Sequence, residues 1–268
     1  LIEVRFHGRG GQGAVTAVRI LATAMYFDGK FTQAIPMYGT ERRGAPVVAF
    51  LRVDDQRINE RDLVHEPDIV VVLDSLLSRT VPVTEGLKNG GLVLINYPRS
   101  GKEAGLGGNF KVATVDATGI AMETLGRPIT NTAILGAFAK VTGLVKLESV
   151  EKAVQKQWSG RVAEMNVKAV QRSYEKVTEP VDVSDVKGIE AKQARSALDR
   201  DVSSWRVFKP EIDEEKCVGC GRCYIFCPEV AITIESKKAK INYDYCKGCG
   251  VCFEECPSKA ITFNQEKI

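Results

Sequence analysis

Before Cys217 the chain contains no cysteine, and its 268 residues hold only two histidines, His7 and His65, and two tryptophans. A disulfide framework in the N-terminal part is therefore excluded, and the two histidines, isolated beside a strand and a loop, read as structural. No catalytic pair, nucleophile elbow or thiamine-binding signature occurs anywhere. No apolar run approaches the roughly 20 residues that span a bilayer, and Leu1-Ile2-Glu3-Val4-Arg5-Phe6 looks like a strand rather than a secretion signal. The expectation is a soluble, cytoplasmic protein without membrane association. Charge is nearly balanced, at 37 Lys plus Arg against 34 Asp plus Glu. Residues 211–268 hold 8 basic and 10 acidic residues, net −2, which leaves +5 for the remainder. That excess is not the dense basic stripe of a nucleic-acid binder, although it can help to hold phosphates or an acidic subunit.

The length exceeds the usual single-domain range of about 100–150 residues, so two domains are expected. The last quarter carries all eight cysteines, in two copies of C-x-x-C-x-x-C-x-x-x-C-P: Cys217, Cys220, Cys223, Cys227 with Pro228, then Cys246, Cys249, Cys252, Cys256 with Pro257. Disulfides and zinc sites are the competing readings. Disulfides are rare inside cells, and zinc sites are usually built from close pairs rather than triplets with a trailing Cys-Pro. The pattern resembles that of two-cluster bacterial ferredoxins, where three closely spaced thiolates hold three corners of a 4Fe-4S cube and the fourth reaches across to the other cube. The resemblance implies one cluster on Cys217, Cys220, Cys223 and Cys256 and a second on Cys246, Cys249, Cys252 and Cys227. Gly219, Gly221, Gly248 and Gly250 would let backbone amides approach the sulfides, which stabilises the reduced, more negative cluster. A repeat of 29 residues places Ala231-Ile232 and Ala260-Ile261 at matching positions after each Cys-Pro.

The N-terminal part alternates β-rich runs with helical stretches, the signature of a parallel sheet covered on both faces. Strands are expected at Ile2–His7, Val47–Val53, Ile69–Leu73, Leu92–Asn96 and Val112–Val115. Helices are expected at Ala14–Tyr26, Ser75–Asn89, Thr118–Leu125, Thr130–Thr142, Leu147–Trp158 and Val162–Val177. Beyond Thr178 the pattern breaks down, with only a weak helical piece near Ile189–Leu198. The fold class expected is α/β: a Rossmann-like parallel-sheet domain over 1–178, a linker over 179–209, and a small α+β ferredoxin-like domain with two 4Fe-4S clusters over 210–268.

Gly8, Gly10 and Gly13 satisfy G-x-G-x-x-G between the first strand and the first helix, where a helix N-terminus and close amides can hold a phosphate. The acidic residue that NAD binding requires about 20 residues on is missing at Phe31-Thr32-Gln33-Ala34. Three readings stay open: a phosphate-bearing ligand other than NAD, a nicotinamide or flavin, or a structural turn. Arg42 and Arg43, in a loop bounded by Gly and Pro, can grip phosphate or carboxylate, or else pair with Glu41, Asp54 or a neighbouring subunit. A chain equipped to pass electrons but without a site that generates them must receive them from elsewhere.

The loop Gly8-Arg9-Gly10-Gly11-Gln12-Gly13, the segment Tyr38-Gly39-Thr40-Glu41-Arg42-Arg43-Gly44-Ala45-Pro46-Val47 and the helix Asn131-Thr132-Ala133-Ile134-Leu135-Gly136-Ala137-Phe138 resemble landmarks of the gamma subunit of 2-oxoacid:ferredoxin oxidoreductases. Ser204-Trp205-Arg206-Val207-Phe208-Lys209-Pro210 is similar to the lead-in of their ferredoxin-like delta subunit. The resemblance implies a fused gamma-delta subunit of a larger hetero-oligomer. Its alpha and beta partners would hold thiamine diphosphate and Mg, oxidise the 2-oxoacid, and deliver electrons through the two clusters to an external ferredoxin. It also implies that Gly8, Gly10, Gly11, Gln12 and Gly13, with Arg42 and Arg43, are candidate contacts for the phosphates of coenzyme A or for the thiamine-bearing subunits. Pyruvate is the substrate expected first and oxalate, whose oxidation needs no coenzyme A, next. The alternatives are a flavin- or NAD(P)-linked iron-sulfur oxidoreductase and a stand-alone electron carrier.

Overall fold

The computed structural model describes residues 1–37, 44–189, 203 and 206–266. Arg42 and Arg43 lie outside these residues, as do Ser204, Trp205 and all but the first residue of the expected helical piece at Ile189–Leu198. The chain divides into two compact units, Leu1–Lys192 and Gln193–Ile268.

The first unit is built on a sheet of seven strands: β1 (Ile2–Arg9), β2 (Phe31–Pro36), β3 (Pro46–Asp54), β4 (Ile69–Val72), β5 (Gly91–Asn96), β6 (Phe110–Val115) and β7 (Val181–Asp182), in the order β2-β3-β1-β4-β5-β6-β7. β1, β4, β5 and β6 are parallel. β3 is antiparallel to β1 and β2, and β7 is antiparallel to β6. The sheet is therefore mixed rather than wholly parallel. Because β3 opposes both of its neighbours, β1 and β2 run the same way, and helix α1 (Ala14–Phe27) crosses between them with β3 inserted in the gap. Sequence periodicity marks β1, β3, β4, β5 and β6, leaves β2 and β7 unmarked, and carries no information on strand direction.

The apolar run of β4 divides between two cores, as alternation along a strand demands. Ile69 and Val71 pack with Phe6, Leu21, Met25 and Phe138 on one face, and Val70 and Val72 with Val93, Ile95, Leu77 and Phe110 on the other. The first face is covered by α1 together with α3 (Thr130–Thr142), α4 (Leu147–Gln157) and α5 (Gly160–Lys176); α2 (Ala117–Leu125) joins the same core. Gly136 permits the closest of these approaches, since a Cβ there would stand 1.8 Å from the Val170 carbonyl oxygen on α5.

One expected helix is corrected. Ser75–Asn89 forms only a 3-10 turn at Ser75–Arg79, capped by the Asp74 carboxylate, which accepts from the Leu76 N–H at 3.0 Å. The β-branched pair Thr80-Val81, the ring of Pro82 and the left-handed Gly86 end it there. On the face opposite α1, Arg52 is almost fully buried and is held by Glu3 at 2.8 Å and by Asp62 at 2.9 Å.

The second unit is a small α+β fold with an internal two-fold repeat. β8 (Phe208–Ile212) pairs antiparallel with the terminal strand β11 (Ile261–Gln265), and β9 (Ile232–Glu235) pairs with β10 (Lys238–Ile241) through a tight turn at Ser236-Lys237. Two single-turn helices, α6 (Arg222–Ile225) and α7 (Val251–Glu254), begin at left-handed Gly221 and Gly250.

His7 generates a testable pH dependence. It is 5% exposed on β1, its Nε2 has no hydrogen-bond partner, and burial, then repulsion from Arg5, pushes its pKa down to about 3 from 6.5, against a weaker opposing hydrogen bond to Val83. The unfolded chain takes up this proton below about pH 6.5 and the folded chain does not, so stability is lost as pH falls through that window. His7→Gln is expected to flatten the acid limb of the stability curve by about 2 kcal/mol at pH 5. Equal slopes for both proteins in denaturant titrations across pH 7 to 5 would refute this.

Candidate functional site

The core of the second unit mixes thiols with aliphatic side chains. Cys223 and Cys252 are buried with Ile232, Ala239 and Ile261, and Cys217, Cys227 and Cys256 pack against them. Cys246 is also buried, whereas Cys220 and Cys249 are exposed. The backbone that carries them turns on glycines in both halves. Gly219 and Gly248 have φ of 68° and 67°, and a Cβ on either would stand 2.2 Å from the Lys237 carbonyl oxygen or 2.3 Å from that of Phe208. Gly221 and Gly250 are also left-handed, but a Cβ on Gly221 would meet nothing within 4 Å. Each trailing Cys-Pro then enters a tight turn through a second left-handed residue, Val230 (φ 53°) or Lys259 (φ 49°). The turn directs the Ala231 N–H to the Cys227 sulfur and the Ala260 N–H to the Cys256 sulfur, each at 3.3 Å.

These turns bring thiols from both halves around two cavities. One is lined by Cys246, Cys249 and Cys252 together with Cys227 from the other half. The other is lined by Cys217, Cys220 and Cys223 together with Cys256. Among the described residues no three His, Cys, Asp or Glu groups converge as they would on a single ion. A cube needs four sulfurs, one for each iron, and each cavity has four cysteines in its lining. The donors are soft and the remaining lining is mostly apolar, which suits iron-sulfur ligation.

Burial pushes the Cys252 thiol up to about 12, with the neighbouring Cys246, Cys249 and Cys227 adding to it. Cys223 and Cys246 are raised as well, again chiefly by burial. At Cys256 burial acts in the same direction but is outweighed by hydrogen bonds from Ser258, Ala260 and Lys259, so its pKa is lowered. Thiols pressed together in an apolar pocket shed their protons only against positive charge, and iron would provide it.

Two charged groups beside the first of these cavities were not singled out from the sequence. Lys247 follows Cys246, is buried, and pairs with Glu229. Arg206 pairs with Glu266 at 2.7 Å, donates to the Cys246 carbonyl at 3.1 Å and lies over the Tyr243 ring. Their partners are distant in sequence, so no local signal reveals either pair.

In the first unit, the glycine loop joins the carboxyl end of β1 to α1. The Gly10 N–H donates to the Ala45 carbonyl at 2.8 Å and the Gln12 N–H to the Arg9 carbonyl at 2.9 Å, so these two amides are used within the protein. The Gln12 side-chain oxygen accepts from the Arg9 N–H at 2.8 Å. Arg9 is buried and pairs with Asp74 at 2.7 Å, which ties the loop to the end of β4. Gly11 is exposed at the loop tip, and Gly8 packs between Leu73 and Ala14. Gly13 starts α1 with φ of 80°, and a Cβ there would stand 2.5 Å from Nδ2 of Asn131 on α3. The loop thus lies at the carboxyl edge of the sheet where the order turns at β1, the usual place for a ligand in open α/β sheets.

Residues 3–176 match the family described as pyruvate ferredoxin/flavodoxin oxidoreductase, and residues 210–263 match the 4Fe-4S dicluster domain. The chain belongs to the pyruvate ferredoxin/flavodoxin oxidoreductase family. Among the relatives of this family, the common gamma subunit of the pyruvate/ketoisovalerate oxidoreductases of Thermococcus kodakarensis is 56% identical over 184 residues, 66% of this chain and 97% of the relative. The pyruvate synthase subunit PorC of Methanocaldococcus jannaschii is 53% identical over 174 residues, 65% of this chain and 96% of the relative. The crystal structure of the Thermotoga maritima pyruvate oxidoreductase subunit PORC superposes with a TM-score of 0.59 at 40% identity, covering 66% of this chain and 97% of that one. This member of the family thus joins a domain matched nearly end to end by gamma-type subunits to a dicluster domain on one chain.

The two kinds of glycine in the cysteine turns should differ in tolerance. Gly219→Ala forces a Cβ into a carbonyl and is expected to cost at least 2 kcal/mol more than Gly221→Ala, where only the left-handed backbone opposes the methyl group, at roughly 1–2 kcal/mol. Thermal melting of the two variants checks this, and equal losses would contradict it.

Proposed function

We propose that this chain is the electron-transferring gamma-delta subunit of a thiamine-diphosphate-dependent 2-oxoacid:ferredoxin oxidoreductase, with pyruvate as the substrate. The carrying observation is the pair of cavities, each lined by four cysteines drawn from both halves of the repeat. The clusters would sit on Cys217, Cys220, Cys223 and Cys256 and on Cys246, Cys249, Cys252 and Cys227, and when bound they supply one-electron transfer between the thiamine site of the partner subunits and ferredoxin. The relatives named for pyruvate support that substrate over oxalate. No group in this chain is assigned to the cleavage of the 2-oxoacid. That step belongs to alpha and beta subunits, with their thiamine diphosphate and Mg, in a cytoplasmic hetero-oligomer.

The chain's own residues have three tasks in this reading. The left-handed turns hold each trailing cysteine where it serves the opposite triplet, and the amides of Ala231 and Ala260 stabilise negative charge on Cys227 and Cys256. The Arg9–Asp74 pair and the Gln12 side chain keep the glycine loop in shape. With the Gly10 and Gln12 amides engaged internally, the exposed Gly11 is the part of the loop offered to the phosphates of coenzyme A, with Arg42 and Arg43 as the cationic contacts.

The anaerobically purified chain is expected to hold eight iron atoms. Cys227→Ala should damage the cluster of Cys246, Cys249 and Cys252, detected by iron analysis and electron paramagnetic resonance. Damage confined to the Cys217, Cys220 and Cys223 cluster would overturn the crossed assignment.

In the assembled complex, pyruvate oxidation should depend on coenzyme A, and oxalate should not be oxidised. Gly11→Asp, which sets a negative charge at the loop tip, is expected to raise the coenzyme A dissociation constant by about tenfold. Unchanged calorimetric affinity would remove the loop from the coenzyme site.

A further inference from the structure

The repeat of 29 residues gives each surface position in one half of the second unit a counterpart in the other, which shows whether its chemistry is required by the fold. At Tyr224 and Phe253 both halves expose an aromatic ring. At four other pairs they differ: Val218, Ile225, Phe226 and Val230 correspond to Lys247, Glu254, Glu255 and Lys259, of which Lys247 is buried and the others are at least partly exposed. The four apolar members are exposed, at 67%, 71%, 49% and 63%. The same turns form with charged residues in the second half, so the backbone does not demand apolar side chains here. Val230 carries a further cost, because a β-branched residue is disfavoured in the left-handed conformation it adopts. Tyr224, Ile225, Phe226 and Val230 lie on one helical turn and the tight turn after it, closed by the Val230 N–H on the Cys227 carbonyl at 3.3 Å.

The two charged residues within residues 222–230 are already paired. Arg222 is held by Glu255 at 3.0 Å, and Glu229 by Lys247. A partner that buried this face under a charge of its own would leave that charge without an answer, which is costly. The complementary surface is therefore uncharged and apolar. Permanent subunit interfaces have this character, whereas transient electron-transfer contacts are small and steered by charge.

We propose that Val218, Tyr224, Ile225, Phe226 and Val230 form the face by which the second unit is held permanently against an uncharged, apolar surface of another subunit of the complex. The matching positions of the second half that are exposed, Glu254 and Lys259, stay in water. The exposed ligand Cys220 lies between Val218 and Tyr224 in the chain, so the docked face belongs to the cavity lined by Cys217, Cys220, Cys223 and Cys256. The proposal rests on the multisubunit function proposed above, and it adds which half of the repeat is committed to the complex.

The test is the double variant Ile225→Glu with Val230→Lys, in the full chain. It installs the second half's own residues at equivalent positions, and an unchanged melting curve and iron content confirm the fold. The dissociation constant for the remaining subunits is expected to rise roughly tenfold or more, with the KM for ferredoxin unchanged in complex assembled at saturating subunit. Glu254→Lys, the control on the other half, should leave the dissociation constant unaltered. An unchanged constant with a raised ferredoxin KM would assign the face to the transient carrier and overturn the proposal. No change in either quantity would make the face idle surface, and loss of self-association of the isolated chain with subunit binding intact would assign it to a second copy; each result overturns the proposal. Subunit affinity is read without reference to turnover, so a wild-type complex that binds but oxidises no 2-oxoacid would sink the proposed function and leave the docking result to be judged by itself.

Discussion

The second unit depends on the burial of thiols in a small core that they share with isoleucine and alanine side chains. A domain of this size can remove only a modest share of its surface from water, and here Cys223, Cys246 and Cys252 occupy places that aliphatic side chains would fill in a larger protein. A buried thiol resists ionisation, most strongly at Cys252, and two cavities remain where packing would otherwise stabilise the fold. Ligation of iron would fill the cavities and supply the positive charge that the thiolates need. Because each trailing cysteine sits in the cavity of the opposite triplet, the same ligation would also tie the two halves together, as structural metals do in other small domains.

The first unit solves a different problem. Its long core is ample, and the demanding region is the carboxyl edge of β1, where a glycine loop, the end of β4 and the start of α3 meet. Arg9 and Asp74 are both buried there and pair with each other. A buried pair is weak evidence for added stability, but it holds a loop made mostly of glycine in a single shape. The inserted antiparallel β3 follows Ala45, whose carbonyl accepts from the Gly10 N–H, so the start of this strand is tied to the glycine loop.

Much of both units was legible in the residues themselves. The strands at Ile69–Val72 and Gly91–Asn96 follow from unbroken apolar runs, and α3, α4 and α5 from apolar residues at helical spacing. Ser75–Asn89 does not continue as a helix because β-branched Thr80 and Val81, Pro82 and left-handed Gly86 follow its first turn. The burial of Arg52, Arg206 and Lys247 has no local signature, because a charged residue in a strand or loop looks solvent-exposed until its partners, Glu3 and Asp62, Glu266, and Glu229, are folded against it.

The local pattern alone determined the ligand chemistry of this protein. Eight cysteines at repeated short spacings constrain the turns that carry them, and glycines at fixed offsets mark where a backbone must pass close to its neighbour, since a Cβ takes up space wherever it is placed. Tertiary structure decided what spacing cannot express: the direction of β3, the ion pairs around Arg9 and Arg52, and the exposure of an apolar face on only one of two equivalent halves. Each of these depends on which distant segments meet, and a periodicity read along one segment holds no information about its neighbours in space.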